Sequence, residues 1–175
     1  AVTFSNTRIF NVDAHADATG SSAGAVAQAQ GVSQWTLGDN VLASFSNSST
    51  GSFTVDAVAT ATGTVGSSAN ASATGLTISG DPIVLAVSND KKFEVNASAT
   101  ADLANANALG MGVYATESAY TGTSPAVWAS LNTIGGTITN SGNLTVVASA
   151  LGATGTTTTA WPLCTARSTT ACNLR

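Results

Sequence analysis

One phrase of about eleven residues returns four times along this chain, and small apolar residues alternate with polar ones in every copy. The copies are FNVDAHADATG at 10–20, FTVDAVATATG at 53–63, FEVNASATADL at 93–103 and LTVVASALGAT at 144–154. A short lead-in precedes each copy: TFSN, SFSN, AVSN and TITN. Repetition of this kind is typical of architectures in which each unit buries its apolar face against its neighbours. The phrase therefore constrains the architecture far more than the chemistry.

The alternation predicts extended strands, because a period of two places every second side chain on the same face. In the first copy one face carries Val12, Ala14, Ala16 and Ala18, and the other carries Asp13, His15 and Asp17. Alanine favours helices and is a poor strand former. Its repeated use on one strand face indicates that neighbouring sheets approach too closely for larger side chains.

A second alternating run follows each phrase after a turn rich in glycine, serine and threonine, as in AGAVAQAQGV at 23–32. The phrases begin at 10, 53, 93 and 144, so the repeats are about 43 residues long. We assign a single repetitive β domain to 1–160 and a cysteine-bearing segment to 161–175. The repeats lie near 3–37, 44–80, 86–116 and 137–161.

Two all-β architectures fit these repeats. Each repeat forms either a long hairpin in an antiparallel β-sandwich or two coils of a parallel β-solenoid. The alternating runs are longer than the short strands usual in a solenoid coil, and the repeat spacing is irregular. We therefore expect the antiparallel sandwich, with the solenoid as the alternative.

The charge content excludes several classes of partner. Charged residues make up 8% of the chain, the net charge is −4, and Lys91 and Lys92 are the only adjacent basic residues. A surface for nucleic acid or anionic lipid needs clustered basic residues. No apolar run is long enough to span a bilayer. We expect neither nucleic-acid binding nor membrane insertion.

Other features predict an extracellular or cell-surface protein. Lysine is scarce, and the only cysteines, Cys164 and Cys172, lie close together. Such a pair is expected to close a small disulfide loop in an oxidising compartment. Acceptor sequences for N-glycosylation occur at Asn47, Asn70, Asn96 and Asn143.

The repeats resemble those of bacterial secreted adhesins and autotransporter passenger regions, in which phrases such as NSG-x-L-x-V-x-A recur. The closest match is NSGNLTV at 140–146, and GVSQ at 31–34 is similar to the segment that ends such repeats. The resemblance covers most of residues 1–155. It implies a repetitive extracellular protein that forms surfaces or fibres, and such passengers are commonly β-helical. For so short a chain it implies a free-standing subunit of a polymer.

Catalytic and metal chemistry find little support in the residues. His15 is the only histidine, and no Gly-x-Ser-x-Gly motif accompanies it. Asp13, His15 and Asp17 share a strand face, but neighbours on such a face lie about 6.5–7 Å apart, which is wide for one ion. We expect no enzyme activity, no metal site and no cofactor.

The sequence predicts a structural subunit of an extracellular filament or biofilm matrix, whose partners are copies of itself. Few charges or prolines are available to protect strand edges from pairing. Assembly is expected through strand edges, by a donated N-terminal strand or by end-to-end stacking. The residues assigned to the donated strand are Ala1, Val2, Thr3, Phe4, Ile9 and Phe10. The alternative is a monomeric surface adhesin, or a module that binds glycans or ice.

Overall fold

The computed structural model describes residues 1–115 and 134–166, which form β-strands joined by short turns. The strands are β1 (Val2–Asn6), β2 (Ile9–Gly20), β3 (Gly24–Asn47), β4 (Ser52–Gly63), β5 (Ser68–Asn89), β6 (Lys92–Thr100), β7 (Leu103–Ala115), β8 (Ile134–Asn140), β9 (Asn143–Leu151) and β10 (Gly155–Ala166).

All strand pairing among the described residues is parallel and joins equivalent positions of successive repeats. One sheet has the order β2-β4-β6-β9, and the other has the order β1-β3-β5-β7-β10, with β8 paired to β5. Equivalent residues of successive repeats are therefore neighbours across the sheet, as in the series Phe10, Phe53, Phe93 and Leu144. The all-β expectation is confirmed. The antiparallel sandwich is wrong, and the arrangement is that of the alternative, a parallel β-solenoid. Each repeat forms one coil, however, and not the two coils expected, because the paired positions lie a whole repeat apart.

The two runs of one repeat belong to different sheets, so they form an arch rather than a hydrogen-bonded hairpin. Alternation alone cannot separate these cases, because inward side chains recur every second residue in both. Strand length was also misleading, because a whole repeat makes one coil and its sides are long, as in β2 and β4, which have 12 residues each. The strands β3 and β5 are longer still because they bend. The pairing of β3 with β5 shifts register between Leu37 and Val41, so one strand covers two sides of the coil.

Each coil therefore has three sides, which we call faces. Face 1 is the sheet β2-β4-β6-β9. Face 2 contains the first parts of β3 and β5, paired with β7 and β10. Face 3 contains β1, the last parts of β3 and β5, and β8. Along the chain the order is face 3, face 1, face 2, so four strands stack on every face.

The core is thin at one side of the coil and thick at the other. Where β4 turns into β5, both strands direct alanines inward, including Ala57, Ala59 and Ala71, and all three are fully buried. Away from this turn the three faces enclose larger side chains, among them Phe45, Phe53, Phe93, Leu76 and Ile78, which are also fully buried. The expectation of a narrow, alanine-lined interior thus holds for the turn side only.

A glycine on face 2 reverses the inward pattern within each long strand. On β5 the inward residues before Gly75 are odd-numbered and those from Leu76 to Gly80 are even-numbered. A Cβ atom on Gly75 would lie 2.6 Å from the Gly110 carbonyl oxygen and 2.7 Å from Cζ of Phe93. Gly31 and Gly110 occupy the same position in neighbouring coils. Glycine is needed here because the backbone passes directly over the aromatic core.

Candidate functional site

The two ends of the described solenoid expose core positions that the middle coils bury. Phe53 and Phe93 are fully buried, whereas Phe10 in the same column is only partly buried. At the other end, Val146 is partly buried where Val95 is fully buried. Each end thus presents an open apolar cross-section of the coil.

These ends also carry free strand edges. Within the described residues, β2 and β9 are the outer strands of face 1, and β1 is the outer strand of face 3 at the N-terminal end. The outward-directed N–H and C=O groups of such strands are available for pairing with a further strand. On face 2 the last strand is β10, in which Thr156 and Thr158 take inward positions that are Ala104 and Ala106 in β7.

A ladder of four asparagine side chains runs along the solenoid at the turn between face 3 and face 1. Nδ2 of Asn6 donates to Oδ1 of Asn47 at 2.9 Å, and Nδ2 of Asn47 donates to Oδ1 of Asn89 at 2.7 Å. Nδ2 of Asn89 donates in turn to Oδ1 of Asn140, also at 2.7 Å. All three bonds run in the same direction, from each coil to the next.

The ladder also holds the turns themselves. Nδ2 of Asn47 donates to the Lys92 carbonyl oxygen at 2.8 Å, and Nδ2 of Asn6 donates to that of Ser52 at 3.1 Å. Asn47 and Asn89 are fully buried. Buried amides are stable only when both their donors and acceptors have partners. Stacking identical amides meets this requirement and fixes the register of adjacent coils.

Phenylalanine rings form a second column beside the ladder. The Phe53 ring lies 4.6 Å from the rings of both Phe10 and Phe93, with interplanar angles of 7° and 10°. On face 3, Phe4 stacks on Phe45 at 5.3 Å. The stack on face 1 is open at Phe10, and the stack on face 3 is open at Phe4.

The predicted donated strand lies within the first coil. β1 pairs in parallel with β3 of the same chain, in a register that joins Val2 to Ala43 and Phe4 to Phe45. Ile9 and Phe10 begin β2, which pairs with β4. Each of β1 and β2 therefore has one paired edge and one outer edge without a partner among the described residues, and Ala1 precedes β1.

The four glycosylation candidates have different surroundings. Asn47 is buried in the ladder with its amide nitrogen donating twice, so it is not accessible for modification in the folded chain. Asn96 faces outward, but its nitrogen donates to carboxylate oxygens of Asp56 and Glu94, each at 2.7 Å. Asn70 and Asn143 are exposed. Modification of these last three remains a prediction.

The predicted disulfide falls largely outside the described residues. Cys164 lies on β10 opposite Gly112, and Cys172 is beyond the described range. β10 continues to Ala166, so this strand crosses the proposed boundary between residues 160 and 161.

The acidic residues of face 1 form local pairs on the outer surface. Nε2 of His15 lies 2.8 Å from Oδ2 of Asp17, and Nδ2 of Asn11 donates to Asp13 at 2.6 Å. The ammonium group of Lys92, with further help from Asn96, holds the pKa of Glu94 below its usual value. Among the described residues, no three His, Cys, Asp or Glu side chains are placed to share a metal ion.

The grooves on the described surface are lined mainly by small side chains. One of about 530 Å³ lies at the turn side of the coils and contains a single carboxylate, Asp102. Oδ2 of Asp102 already accepts from the backbone N–H and the hydroxyl of Ser67, at 2.9 and 3.0 Å. This carboxylate therefore holds a turn in place.

Sequence reasoning missed the asparagine ladder and the glycine column. Their signals were present, because each lead-in ends in asparagine and AQGV, ATGL and ALGM recur after the second alanine run. Both become interpretable only when the repeats are stacked in parallel.

No protein-family model, curated protein or solved structure matches this chain. The part of the chain that the structure describes contains no helix long and apolar enough to cross a membrane.

Proposed function

We propose that this protein is a structural subunit of an extracellular filament or biofilm matrix, assembled by stacking solenoid ends. The observation that carries the proposal is the open apolar cross-section at both ends of the described coils. At both ends, inward columns that are fully buried in the middle coils become partly exposed. These columns end in Phe10 and Val12 at one end and in Leu144 and Val146 at the other.

End-to-end stacking requires no rearrangement of the subunit. Donation of Ala1–Phe10 to a neighbour would break the pairing of β1 with β3 and separate the Phe4 and Phe45 rings. Stacking instead adds pairing to edges that are already free. It also buries apolar surface that contributes about 25 cal/mol per Å² removed from water.

An extracellular setting is supported by composition and by the resemblance to secreted adhesin repeats. Only five lysines and arginines occur in 175 residues, while serine, threonine and asparagine cover the outer faces. The resemblance to passenger regions extends over most of the repeats and favours a role at the cell surface.

The first test places a charge on the open end. Val12→Lys puts an ammonium group on the inward face of β2, where it would have to be desolvated in a stacked junction. Asn11→Lys adds the same charge at the neighbouring outward position and is the matched control. Negative-stain electron microscopy and sedimentation velocity should show filaments for the unsubstituted chain and for Asn11→Lys, and short or absent filaments for Val12→Lys.

Circular dichroism must show that both variants keep their β structure. A purified chain that stays monomeric at high concentration, with no filaments under any condition of salt or pH tested, would refute the proposal.

A second candidate function, glycan binding, is favoured by a specific surface on face 2. A shallow groove of about 220 Å³ is lined by Trp161, Thr159, Asn107 and Ser72, among others. An indole that is 37% exposed beside amide and hydroxyl groups suits stacking against a sugar ring. Trp161→Ala should abolish any binding to a glycan array, while Trp35→Ala, which removes an exposed indole elsewhere, should not.

A further inference from the structure

We propose that the subunits join head to tail, with Asn140 of one copy donating to Asn6 of the next. The asparagine ladder and all three faces would then continue through the junction. This inference rests on the proposed function and specifies the polarity, register and contacting residues of assembly.

The direction of the ladder determines this polarity. In the middle coils the amide nitrogen always donates toward the C-terminal end, and the amide oxygen accepts from the coil before it. The N-terminal end therefore presents an acceptor, Oδ1 of Asn6, which among the described residues accepts only from the Arg8 N–H at 3.2 Å. The C-terminal end presents a donor, because Nδ2 of Asn140 uses one hydrogen for the Gly142 carbonyl at 3.1 Å.

Both groups lie at the ends of the described ladder. Asn6 is 7% exposed, whereas Asn47 and Asn89 are 0% exposed, so the first asparagine is less completely covered than those in the middle coils. Asn140 is exposed. Two copies that met through the same end would oppose acceptor to acceptor or donor to donor, and neither arrangement forms a bond.

The rest of the end surface matches in the same register. Continuing the columns places β8 over β1, β9 over β2 and β10 over the first part of β3 of the next copy. Leu144 then covers Phe10, and Val146 covers Val12. On faces 1 and 3 the junction repeats contacts that already join successive coils within the chain, whereas on face 2 Thr156 and Thr158 take the place of alanines. A second copy supplies the complementary surface at each end.

The first experiment removes only the donor. Asn140→Asp keeps an oxygen that accepts from Asn89 but has no N–H to offer to the next copy. Thr139→Asp adds the same charge at the adjacent outward position and is the control. We expect Asn140→Asp to raise the critical concentration for filament formation by about tenfold or more, and Thr139→Asp to change it much less.

The second experiment reads the polarity directly. Asn11 and Thr145 occupy one outward column, so in a head-to-tail junction their strands would lie about 4.8 Å apart, within disulfide range. Asn11→Cys and Thr145→Cys chains are prepared separately, mixed and oxidised, with the unsubstituted chain as control for the native cysteines. Additional disulfide-linked dimers should appear only in the mixture. Asn11→Cys mixed with Ser149→Cys, two columns away, should give none.

Each outcome is decisive. Filaments that show no mixed dimers and tolerate Asn140→Asp would overturn the junction and leave the proposed function standing. Dimers from Asn11→Cys alone would indicate head-to-head contact and also overturn it. Mixed dimers that appear only after deletion of residues 167–175 would show that this segment covers the C-terminal end of its own chain, and would also overturn the junction. Absence of any filament from the unsubstituted chain would refute the proposed function itself.

Discussion

At the residue scale, a buried polar side chain fixes the register in which the coils stack. Asn47 accepts from Asn6, donates to Asn89 and donates to the Lys92 carbonyl, while it is fully buried. A buried amide with all these partners specifies one register, since a slip of one residue would leave donors and acceptors unpaired. The phenylalanine stack beside it adds apolar burial.

Replacing the central amide tests this division of roles. Asn47→Ala removes the donor to Oδ1 of Asn89 and to the Lys92 carbonyl, and it leaves Nδ2 of Asn6 with only the Ser52 carbonyl as acceptor. We expect the free energy of unfolding to fall by about 3 kcal/mol. Asn70→Ala, which changes an exposed asparagine on face 2, should alter it by less than about 0.5 kcal/mol. Urea titrations at low protein concentration would measure both, and equal effects would contradict a stabilising ladder.

At the element scale, one glycine changes which side of each long strand faces the core. β3 and β5 each cover two faces, and Gly31 and Gly75 reverse the inward pattern on face 2, ahead of the register shift between Leu37 and Val41. Because this position has no side chain, the backbone at Gly31 can pass closely over Phe53 and Val55, and the backbone at Gly75 can pass over Phe93 and Val95. The three faces can then enclose the thick part of the core.

Adding one methyl group at this glycine position should therefore lower the stability of the fold. Gly75→Ala places a Cβ within 3 Å of the Gly110 carbonyl oxygen and of the Phe93 ring, and backbone atoms cannot move aside cheaply. We expect a loss of about 1–3 kcal/mol in unfolding free energy. Gly20→Ala meets no atom within 4 Å and should leave stability unchanged or slightly raised. Thermal unfolding followed by circular dichroism would compare them.

The strands and their inward faces were predictable from the sequence, whereas their partners were not. The inward set of β4, including Val55, Ala57 and Ala59, follows directly from the alternation. Whether β4 pairs with β5 or with β6 depends on contacts one repeat away, about which a local pattern carries no information. The end surfaces were anticipated as strand edges. The direction in which the ends would join was not anticipated, because it depends on the direction of the hydrogen bonds in the asparagine ladder.

At the scale of the whole molecule, the solenoid is a one-dimensional stack. Each coil contacts only its neighbours, and equivalent columns contain interchangeable residues, such as Phe10, Phe53 and Phe93. Stability in such proteins is approximately the sum of coil and interface terms. A coil can therefore be removed without loss of the fold, provided that the register of inward and outward positions is kept.

Deletion of one repeat tests this modularity. Removing residues 55–94 joins Thr54 to Val95, and because Thr54 is the register partner of Glu94, every later residue keeps its face. We expect a folded, shorter solenoid whose unfolding enthalpy is lower by about 30 kcal/mol, at about 0.7 kcal/mol per residue. Removing residues 55–95 instead deletes one residue more and turns Asn96 inward. Calorimetry and circular dichroism should show that this second chain does not fold cooperatively.

The close stacking of the coils also sets the proportions of the molecule. Among the described residues, four strands on each face, spaced about 4.8 Å apart, give a stack roughly 19 Å thick. Fibres of stacked subunits would diffract like amyloid along the fibre axis, with a strong meridional reflection near 4.8 Å. They would differ from amyloid by a second, longer axial repeat near 19 Å, which records the thickness of one subunit.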